Sequence, residues 1–419
     1  MKQFKTIVVS VLSLIITHYV SAQSVSQHLD AGCGVREPLT VVKGALGQDG
    51  LSTEPLLCGA DRTEQYIYML KGRRVGLLTN QSGLCGGVHL ADTLTRLGVD
   101  IRYIFAPEHG FRGDVSAGER VRDGRDPKTG IPVLSLYGAS KAPADSVMRK
   151  LDVVVFDLQD VGLRYYTYLS TLHYLLEAAA RTSTEVVILD RPNPNGHYVD
   201  GPILDMKHRS FVGVYPIPVV HGMTLGELAG MAIGEGWVKD GSKCRLRVIR
   251  AKGYTHRTLY APPVPPSPNL PDMTAIYLYP SLCYFESTPV SVGRGTDRPF
   301  KVYGHPSMTG RSYSFVPRSM RSAVNPPCKD KVCYGVLLDT IPADELVGKG
   351  LSLEYVIDAY RDMGMGDKFF NNAFERLIGV DYVREMIKKG ASAQEIEACL
   401  QDDVARFRKA RAPYLLYDE

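Results

Sequence analysis

The sequence predicts an α/β protein in which a Rossmann-like parallel sheet domain is followed by a smaller α+β domain, with a cleft between them. Three observations predict this fold class. From Arg73 onward, apolar runs alternate with segments of helical spacing, which is the pattern of repeated βαβ units. Residues 151–158 are apolar at most positions, as expected of a central parallel strand covered on both faces. Finally, six prolines between Pro262 and Pro271 mark a change of composition.

The elements of the first domain can be placed in chain order from their periodicity. Strands are predicted over 74–79, 97–105, 132–137, 151–158, 185–190 and 245–249. Helices are predicted over 89–97 and 168–180, where leucine and alanine recur at helical spacing. A further helix should begin after Thr224, because Glu227 stands three residues later and completes a capping box.

The prolines favour a semi-rigid linker, so a domain boundary is predicted near 262–272. It divides the chain into a Rossmann-like domain over 61–265 and a smaller domain over 266–419. In the second, residues 281–286 begin a helix or strand, 290–295 follow it, and short strands continue through Phe315 and 335–338. Helices are predicted over 353–363 and 381–389, with a third from about Ser392.

The amino terminus has the pattern of a targeting segment. Lys2 and Lys5 precede an apolar run, and Val20-Ser21-Ala22 fits a small-residue cleavage site. Residues 1–22 are therefore predicted to be a secretory signal peptide, and residues 23–60 a leader or extension. No later stretch is long and apolar enough to cross a bilayer. The sequence predicts an exported protein, periplasmic or extracellular.

Composition excludes several classes of partner and cofactor. A net charge of +4 over 419 residues provides no basic face for nucleic acid. No GxGxxG follows the first strand, and the P-loop and GxSxG patterns are absent, so no nucleotide cofactor is expected. Eight cysteines occur, and in an oxidising compartment some could pair, Cys328 with Cys333 or Cys33 with Cys58. Neither CxxC nor HxxxH spacing supports a zinc site, and no metal is expected.

Polar residues follow each predicted strand of the first domain at its carboxyl end. In a parallel sheet these ends open on one edge, where ligands bind in open α/β folds. The residues brought together there are Asn80, Glu108, His109, Asp157, Asp160, Asp190, Arg191 and Asn193. His221 lies just before the helix that Thr224 caps and should face the same crevice.

These motifs together resemble one known family. They are Leu78-Thr79-Asn80, Pro107-Glu108-His109-Gly110-Phe111-Arg112-Gly113, Phe156–Gly162 with Arg164–Tyr168, Asp190–Pro194, His221–Thr224, Pro268–Pro271 and Gly293–Thr296. The chain from about residue 65 to its carboxyl terminus resembles the NamZ-type exo-β-N-acetylmuramidases, formerly a domain-of-unknown-function family. The resemblance implies a Rossmann-like domain beside a smaller one, and removal of terminal N-acetylmuramic acid from peptidoglycan fragments in the cleft between them.

Glycoside hydrolysis needs a proton donor for the leaving oxygen and a group that stabilises or captures the anomeric centre. Glu108 is the expected donor, with His109 beside it. Asp157 and Asp160 are the first candidates for the second group, followed by Glu119 and Glu286. The 2-acetamido group of the sugar is a further alternative, because it can attack the anomeric carbon itself.

The remaining expected roles concern substrate binding. The lactyl carboxylate of the muramyl sugar calls for a cation, and the guanidinium groups on motif loops are Arg112, Arg164, Arg191 and Arg294. Tyr165 and Tyr168 offer flat faces for the sugar ring. Asn80, Asn193, His221 and Glu286 complete the expected binding set.

Two other classes of function fit the same residues. One is a secreted sugar-binding protein without catalysis. The other is a metal-dependent hydrolase or deacetylase that would use Glu108, His109, Asp157 and His221.

Overall fold

The computed structural model describes residues 40–42, 55–112, 122–138 and 140–419. The predicted signal peptide, residues 1–22, most of the predicted leader and Glu119 lie outside these ranges. Within them, no helix has both the length and the apolar character that crossing a membrane requires.

Short strands and helices alternate through the first half of the chain, and helices predominate in the second. The strands are β1 (Thr40–Val42), β2 (Arg74–Thr79), β3 (Leu84–Cys85), β4 (Val88–His89), β5 (Asp100–Ala106), β6 (Gly124–Arg125), β7 (Pro132–Ser135), β8 (Val153–Asp157), β9 (Glu185–Leu189), β10 (Arg245–Ile249), β11 (Thr258–Tyr260), β12 (Val302–His305), β13 (Tyr313–Phe315) and β14 (Cys333–Leu337). The helices are α1 (Ile67–Leu70), α2 (Leu90–Arg96), α3 (Asp145–Met148), α4 (Tyr168–Thr182), α5 (Leu225–Gly234), α6 (Met273–Leu282), α7 (Ala343–Lys349), α8 (Glu354–Met363), α9 (Phe374–Ile378), α10 (Tyr382–Lys388) and α11 (Ala393–Arg411).

Seven strands form the main sheet in the order β10-β9-β8-β2-β5-β7-β6. All neighbours are parallel except β6 and β7, which run antiparallel at one edge. The six parallel strands therefore have the Rossmann order, and the order reverses between β2 and β8. This confirms the predicted α/β class and brings the carboxyl ends of the parallel strands to one edge.

The sheet is covered on both faces because alternate residues of its strands enter two different apolar clusters. On β8, Val154 and Phe156 pack in a large cluster with α4 and α5, whereas Val153 and Val155 pack in a smaller one with α2. Every residue of β8 is buried. This two-sided burial explains why the segment lacks the alternation of a half-exposed strand.

The smaller part of the molecule contains a three-stranded antiparallel sheet, β12-β14-β13, and the helices from α6 onward. Its core is continuous with the large cluster beside the main sheet, which includes side chains from α8, α10 and α11. Residues 290–295, which follow the predicted helix or strand over 281–286, form loop structure in which Ser291 makes an isolated bridge with Gly304. Two glycines in this segment adopt positive φ angles that an extended strand does not use.

The proline-rich segment is fastened to the first domain through its backbone carbonyls. Pro266 accepts hydrogen bonds from the hydroxyls of Tyr166, at 2.9 Å, and Tyr168, at 3.3 Å. The Gln81 side-chain amide also donates to the carbonyls of Pro265 and Pro266. Proline lacks an N–H but keeps its acceptor, so this segment can form a fixed wall without belonging to a sheet.

Candidate active site

A cavity of about 420 Å³ opens where the loops after β5 and β7 meet the proline-rich segment and the second half of the chain. Six residues expected from the sequence line it: Glu108, His109, Tyr165, Tyr168, Glu286 and Arg294. They come from both halves of the chain, so folding brings together groups up to 186 positions apart (294 minus 108). The volume is in the range of small-molecule sites.

Glu108 is a half-buried carboxylate held by hydroxyl groups. It follows β5 directly after Pro107, where the strand ends. The Thr167 hydroxyl donates a hydrogen bond of 2.7 Å to Glu108 Oε2. The Tyr137 hydroxyl is a second hydrogen-bond partner, and burial together with this carboxylate raises the pKa of Tyr137. Two hydroxyls therefore fix the direction in which the carboxyl group faces the cavity.

His109 has an unusual backbone conformation for a residue with a bulky side chain. Its φ is 72°, in the left-handed region, and Gly110 follows with φ 79°. The side chain is buried, and its Nε2 lies 3.3 Å from the hydroxyl oxygen of Ser267 in the proline-rich segment. This sharp reversal directs Glu108 and His109 toward the cavity, and strain of this kind is common at functional sites.

Three tyrosines form one wall of the cavity, and their hydroxyls are engaged elsewhere. Tyr165 donates to the Pro280 carbonyl at 2.9 Å, while Tyr166 and Tyr168 bond to Pro266. The rings of Tyr166 and Tyr168 meet edge to face at 4.8 Å. These tyrosines line the cavity with their rings, and their hydroxyls join the two halves of the chain.

Glu286 and Arg294 form an ion pair inside the cavity, with 2.5 Å between Glu286 Oε1 and the guanidinium Nη2 of Arg294. The Arg294 guanidinium also lies over the Phe300 ring, 5.1 Å from its centroid. Burial opposes the charge, but the Glu286 carboxylate outweighs it and raises the pKa of Arg294. Among the described lining residues, Glu108 and Glu286 are the two carboxylates.

Asp157 and Arg191 do not line this cavity. Both are buried and bind each other through contacts of 2.6 and 3.0 Å, and Arg191 also donates to the Leu84 carbonyl. The expected roles of Asp157 in catalysis and Arg191 in substrate binding do not fit this placement, because each charge is already used by the other. Asn80 likewise donates to the Tyr168 hydroxyl and is inaccessible to a ligand.

The point where the strand order reverses is consequently filled by the chain itself. Nucleotides bind there in other doubly wound folds. Here a Cβ built on Gly83 would lie 2.0 Å from Thr79 Oγ1 and 3.0 Å from Asp157 Oδ2. The open space lies instead beside the loop that follows β5.

Asp160 and Asn193 line a separate, small space of about 10 Å³, enough for one water molecule. Asp160 Oδ1 accepts a 2.6 Å hydrogen bond from the Gly162 N–H, and burial raises the pKa of Asp160 to about 7. Asn193 donates to the Met223 carbonyl. Asp160 is not among the residues that line the larger cavity, and its action on the anomeric centre stays a prediction.

The other expected binding residues have partners of their own. Arg112 pairs with Asp126 at 2.9 Å. Arg164 donates to the carbonyls of Pro202, Ile217 and Leu377, and burial lowers its pKa to about 10. Like Arg191, these two arginines are not among the residues that line the cavity. Of the four arginines expected to bind the lactyl carboxylate, only Arg294 is among the described lining residues.

His221 is fully buried, and its Nδ1 accepts from the Met223 N–H. Burial lowers the pKa of His221 to about 3. Within the described ranges, no group of three or more His, Cys, Asp or Glu side chains is placed to hold a metal ion. The constellation expected for a metal-dependent hydrolase is therefore not gathered in one place.

The described cysteines, Cys328 and Cys333 included, are thiols in the structure, and Cys33 lies outside the described residues.

The sequence missed two residues that hold Glu108. Thr167 lies within the Arg164–Tyr168 motif, but nothing in that motif indicates a contact with Glu108. Tyr137 follows a short strand and carries no motif at all. Both contacts span about 30 to 60 positions, and nothing in local spacing reveals them.

Family models and a curated relative that match this chain carry the same name, exo-beta-N-acetylmuramidase NamZ or beta-N-acetylmuramidase NamZ. The model of the N-terminal part of exo-beta-N-acetylmuramidase NamZ matches residues 75–274, and the model of its C-terminal part matches residues 277–417. A peptidoglycan beta-N-acetylmuramidase NamZ of Bacillus subtilis (strain 168) is 36% identical over 387 residues, covering 84% of this chain and 89% of that protein.

Two solved structures of DUF1343 family proteins from Bacteroides fragilis NCTC 9343 have the same fold. One is 51% identical, with a TM-score of 0.82, and covers 87% of this chain and all of its own. The other is 27% identical, with a TM-score of 0.74, and covers 87% of this chain and 99% of its own.

Proposed function

The chain belongs to the NamZ family of exo-β-N-acetylmuramidases, and we propose that it releases terminal N-acetylmuramic acid from peptidoglycan fragments by hydrolysis in the described cavity. The observation that carries the proposal is Glu108, a half-buried carboxyl group held by Thr167 and Tyr137 in a cavity of about 420 Å³. An ionisable group fixed at the wall of a sugar-sized cavity has the position that a general acid requires.

In this proposal Glu108 donates its proton to the oxygen of the leaving sugar as the bond to the anomeric carbon breaks. The hydroxyls of Thr167 and Tyr137 orient the carboxyl group for this transfer. Water then attacks the anomeric carbon and displaces the group that captured it, and the proton of the water returns to Glu108, which restores the enzyme.

The second role falls to the substrate in this proposal. Asp157 is paired with Arg191, Asp160 is not among the described residues that line the cavity, and Glu286 is engaged by Arg294. Glu286, the other carboxylate among the described lining residues, is thus already paired with a cation, and the 2-acetamido oxygen of the sugar is the favoured nucleophile. A trifluoroacetamido substrate, whose carbonyl oxygen is a weaker nucleophile, should then be cleaved far more slowly. Equal rates for both substrates would instead assign the role to Glu286.

The substitution Glu108→Gln tests the proposed acid. Turnover of a chromogenic β-N-acetylmuraminide should fall by roughly 100- to 10,000-fold, since general acid catalysis contributes about that much. Binding of N-acetylmuramic acid should persist, because glutamine keeps the shape and the hydrogen bond from Thr167. A wild-type protein that binds the sugar but never cleaves it would favour the binding-protein alternative. Undiminished turnover by the variant would remove Glu108 from catalysis.

We further propose that the protein is exported, which is supported by the charged and apolar pattern of residues 1–22. Peptidoglycan fragments are met outside the cytoplasmic membrane, so the proposed substrate and the proposed location agree. Cell fractionation with determination of the mature amino terminus tests this point. A cytoplasmic protein that retains Met1 would contradict it.

A further inference from the structure

Arg294 is presented to the cavity by a turn whose shape is imposed by its neighbours. Gly293 and Gly295 on either side have φ angles of 77° and 83°. A Cβ on Gly293 would lie 2.5 Å from the Arg298 carbonyl oxygen, and one on Gly295 would lie 2.5 Å from the Arg318 carbonyl oxygen. Only glycine accommodates both the angle and the close backbone. The guanidinium is thus carried by a tightly constrained turn.

This group is the fixed positive charge of the cavity. Among the described lining residues, Arg294 is the one guanidinium or ammonium group. Its side chain is 20% exposed, and it packs against Phe300 on one side while Glu286 neutralises it on the other. Glu286 is more accessible, with 36% of its side chain exposed. The carboxylate of this pair can therefore move toward solvent more easily than the cation can.

The two amino sugars of peptidoglycan differ at one position, where N-acetylmuramic acid carries a lactyl ether that ends in a carboxylate. A planar guanidinium binds a carboxylate through two parallel hydrogen bonds, which makes the pairing selective. We propose that Arg294 is the specificity-determining residue, an inference that rests on the proposed function. When the sugar binds, Arg294 exchanges the Glu286 carboxylate for the lactyl carboxylate.

Glu286 has a definite part in this exchange. An unpaired guanidinium in a largely buried position would be costly, and Glu286 removes that cost in the empty cavity. An anionic sugar replaces one carboxylate by another, so the cation stays paired throughout. A neutral sugar cannot make this replacement and leaves Glu286 in place. The pair therefore favours the anionic sugar, while a neutral sugar gains nothing from it.

The test compares binding and hydrolysis of matched ligands by wild type, Arg294→Gln and Arg294→Lys. Calorimetry with N-acetylmuramic acid and N-acetylglucosamine measures binding without requiring turnover. Chromogenic β-N-acetylmuraminide and β-N-acetylglucosaminide give kcat/KM. We expect Arg294→Gln to weaken N-acetylmuramic acid binding and muraminide kcat/KM by roughly 10- to 100-fold, the usual range for a hydrogen bond to a charged group. Arg294→Lys should lie between the two, because lysine keeps the charge but loses the paired geometry.

For both Arg294 variants, the affinity for N-acetylglucosamine and the kcat/KM for the glucosaminide should stay within about threefold of wild type. Neither of these ligands has a carboxylate with which to bind Arg294. Arg298→Gln is the matched control, since Arg298 is four positions away and pairs with Asp339 outside the lining set. This variant should leave the binding affinities for both sugars and the kcat/KM values for both substrates unchanged. Glu286→Gln removes the competing carboxylate and should tighten N-acetylmuramic acid binding severalfold.

Three results would overturn the inference: equal losses for both sugars, no loss for either, or wild-type protein that does not prefer N-acetylmuramic acid. Failure of the proposed function gives a different result. Wild-type protein would then hydrolyse neither substrate, while the calorimetric preference for the anionic sugar would still depend on Arg294. If Arg294→Gln lowers Tm markedly, Arg294→Lys and Glu286→Gln provide the same comparison in folded protein.

Discussion

At the scale of single residues, the sequence shows which groups carry charge but not which partners they meet. Glu108 and Arg294 line the cavity, as their motifs indicated. Arg164 and Arg191 stand in equally distinctive motifs, yet one binds backbone carbonyls and the other binds Asp157. The partners of Arg164 include Leu377, which is 213 positions away. Local spacing cannot report such contacts, so the sequence overestimated the number of cations available to a ligand.

Thr167→Val removes one hydrogen bond from Glu108 and should lower kcat for the muraminide by roughly 10- to 100-fold, because bonds to charged groups contribute about that much. Tm should hardly change, since valine has almost the same shape. Thr182→Val on the same helix is the control, because that hydroxyl bonds only to nearby groups at the far end of α4. Equal kcat values for the two variants would show that Thr167 does not orient Glu108.

Asp160 should make stability depend on pH. Burial raises its pKa in the folded protein from 3.8 to about 7, so the folded state holds the proton more tightly than the unfolded state. The stabilisation from this group is complete at low pH and is lost as the pH rises through the interval between these values. In urea unfolding from pH 4.5 to 7.5, Asp160→Asn should flatten the decline in the free energy of unfolding. A decline as steep as that of wild type would contradict the assignment.

At the scale of elements, most strands and helices could be predicted from periodicity, whereas the role of the proline-rich segment could not. Composition indicated a linker, and the structure shows a wall whose carbonyls accept hydrogen bonds from Gln81, Tyr166 and Tyr168. Proline content reports the missing N–H groups but not the partners of the remaining carbonyls. Those partners lie 98 to 185 positions earlier in the chain.

Tyr166→Phe tests the attachment of this wall. It removes the 2.9 Å bond to the Pro266 carbonyl and should lower the free energy of unfolding by about 1 kcal/mol. KM should rise, because Ser267 and Asn269 of the same segment line the cavity. Tyr68→Phe is the control, since Tyr68 is 66% exposed. If both variants behave alike, the hydroxyl of Tyr166 does not secure the segment.

At the scale of the whole molecule, the Rossmann strand order was predictable in outline, because βαβ repeats and right-handed crossovers leave few alternatives. The location of the cavity was less predictable. Strand ends were expected to share one crevice, and instead the edge is divided between a large cavity, a small space and a buried ion pair. This division depends on side-chain packing, which strand order alone does not determine.

Asp157→Asn should destabilise the whole fold by about 3 to 5 kcal/mol, since it leaves Arg191 as an unpaired buried charge beside the central strands. Replacing both residues by apolar side chains, in Asp157→Leu with Arg191→Met, should recover much of that loss. Urea unfolding measures both effects. An Asp157→Asn protein with normal stability and no turnover would instead return Asp157 to the catalytic machinery.

Side chains fill the point between β2 and β8 where the strand order reverses, and this has a consequence for the choice of ligands to test. Shape alone suggests an enzyme that needs NAD or a flavin, and a ligand screen would ordinarily begin with such compounds. Thr79, Asp157 and Arg191 leave those compounds no room beside Gly83. In a thermal-shift assay, nucleotides should therefore leave the Tm unchanged, whereas acidic amino sugars should raise it.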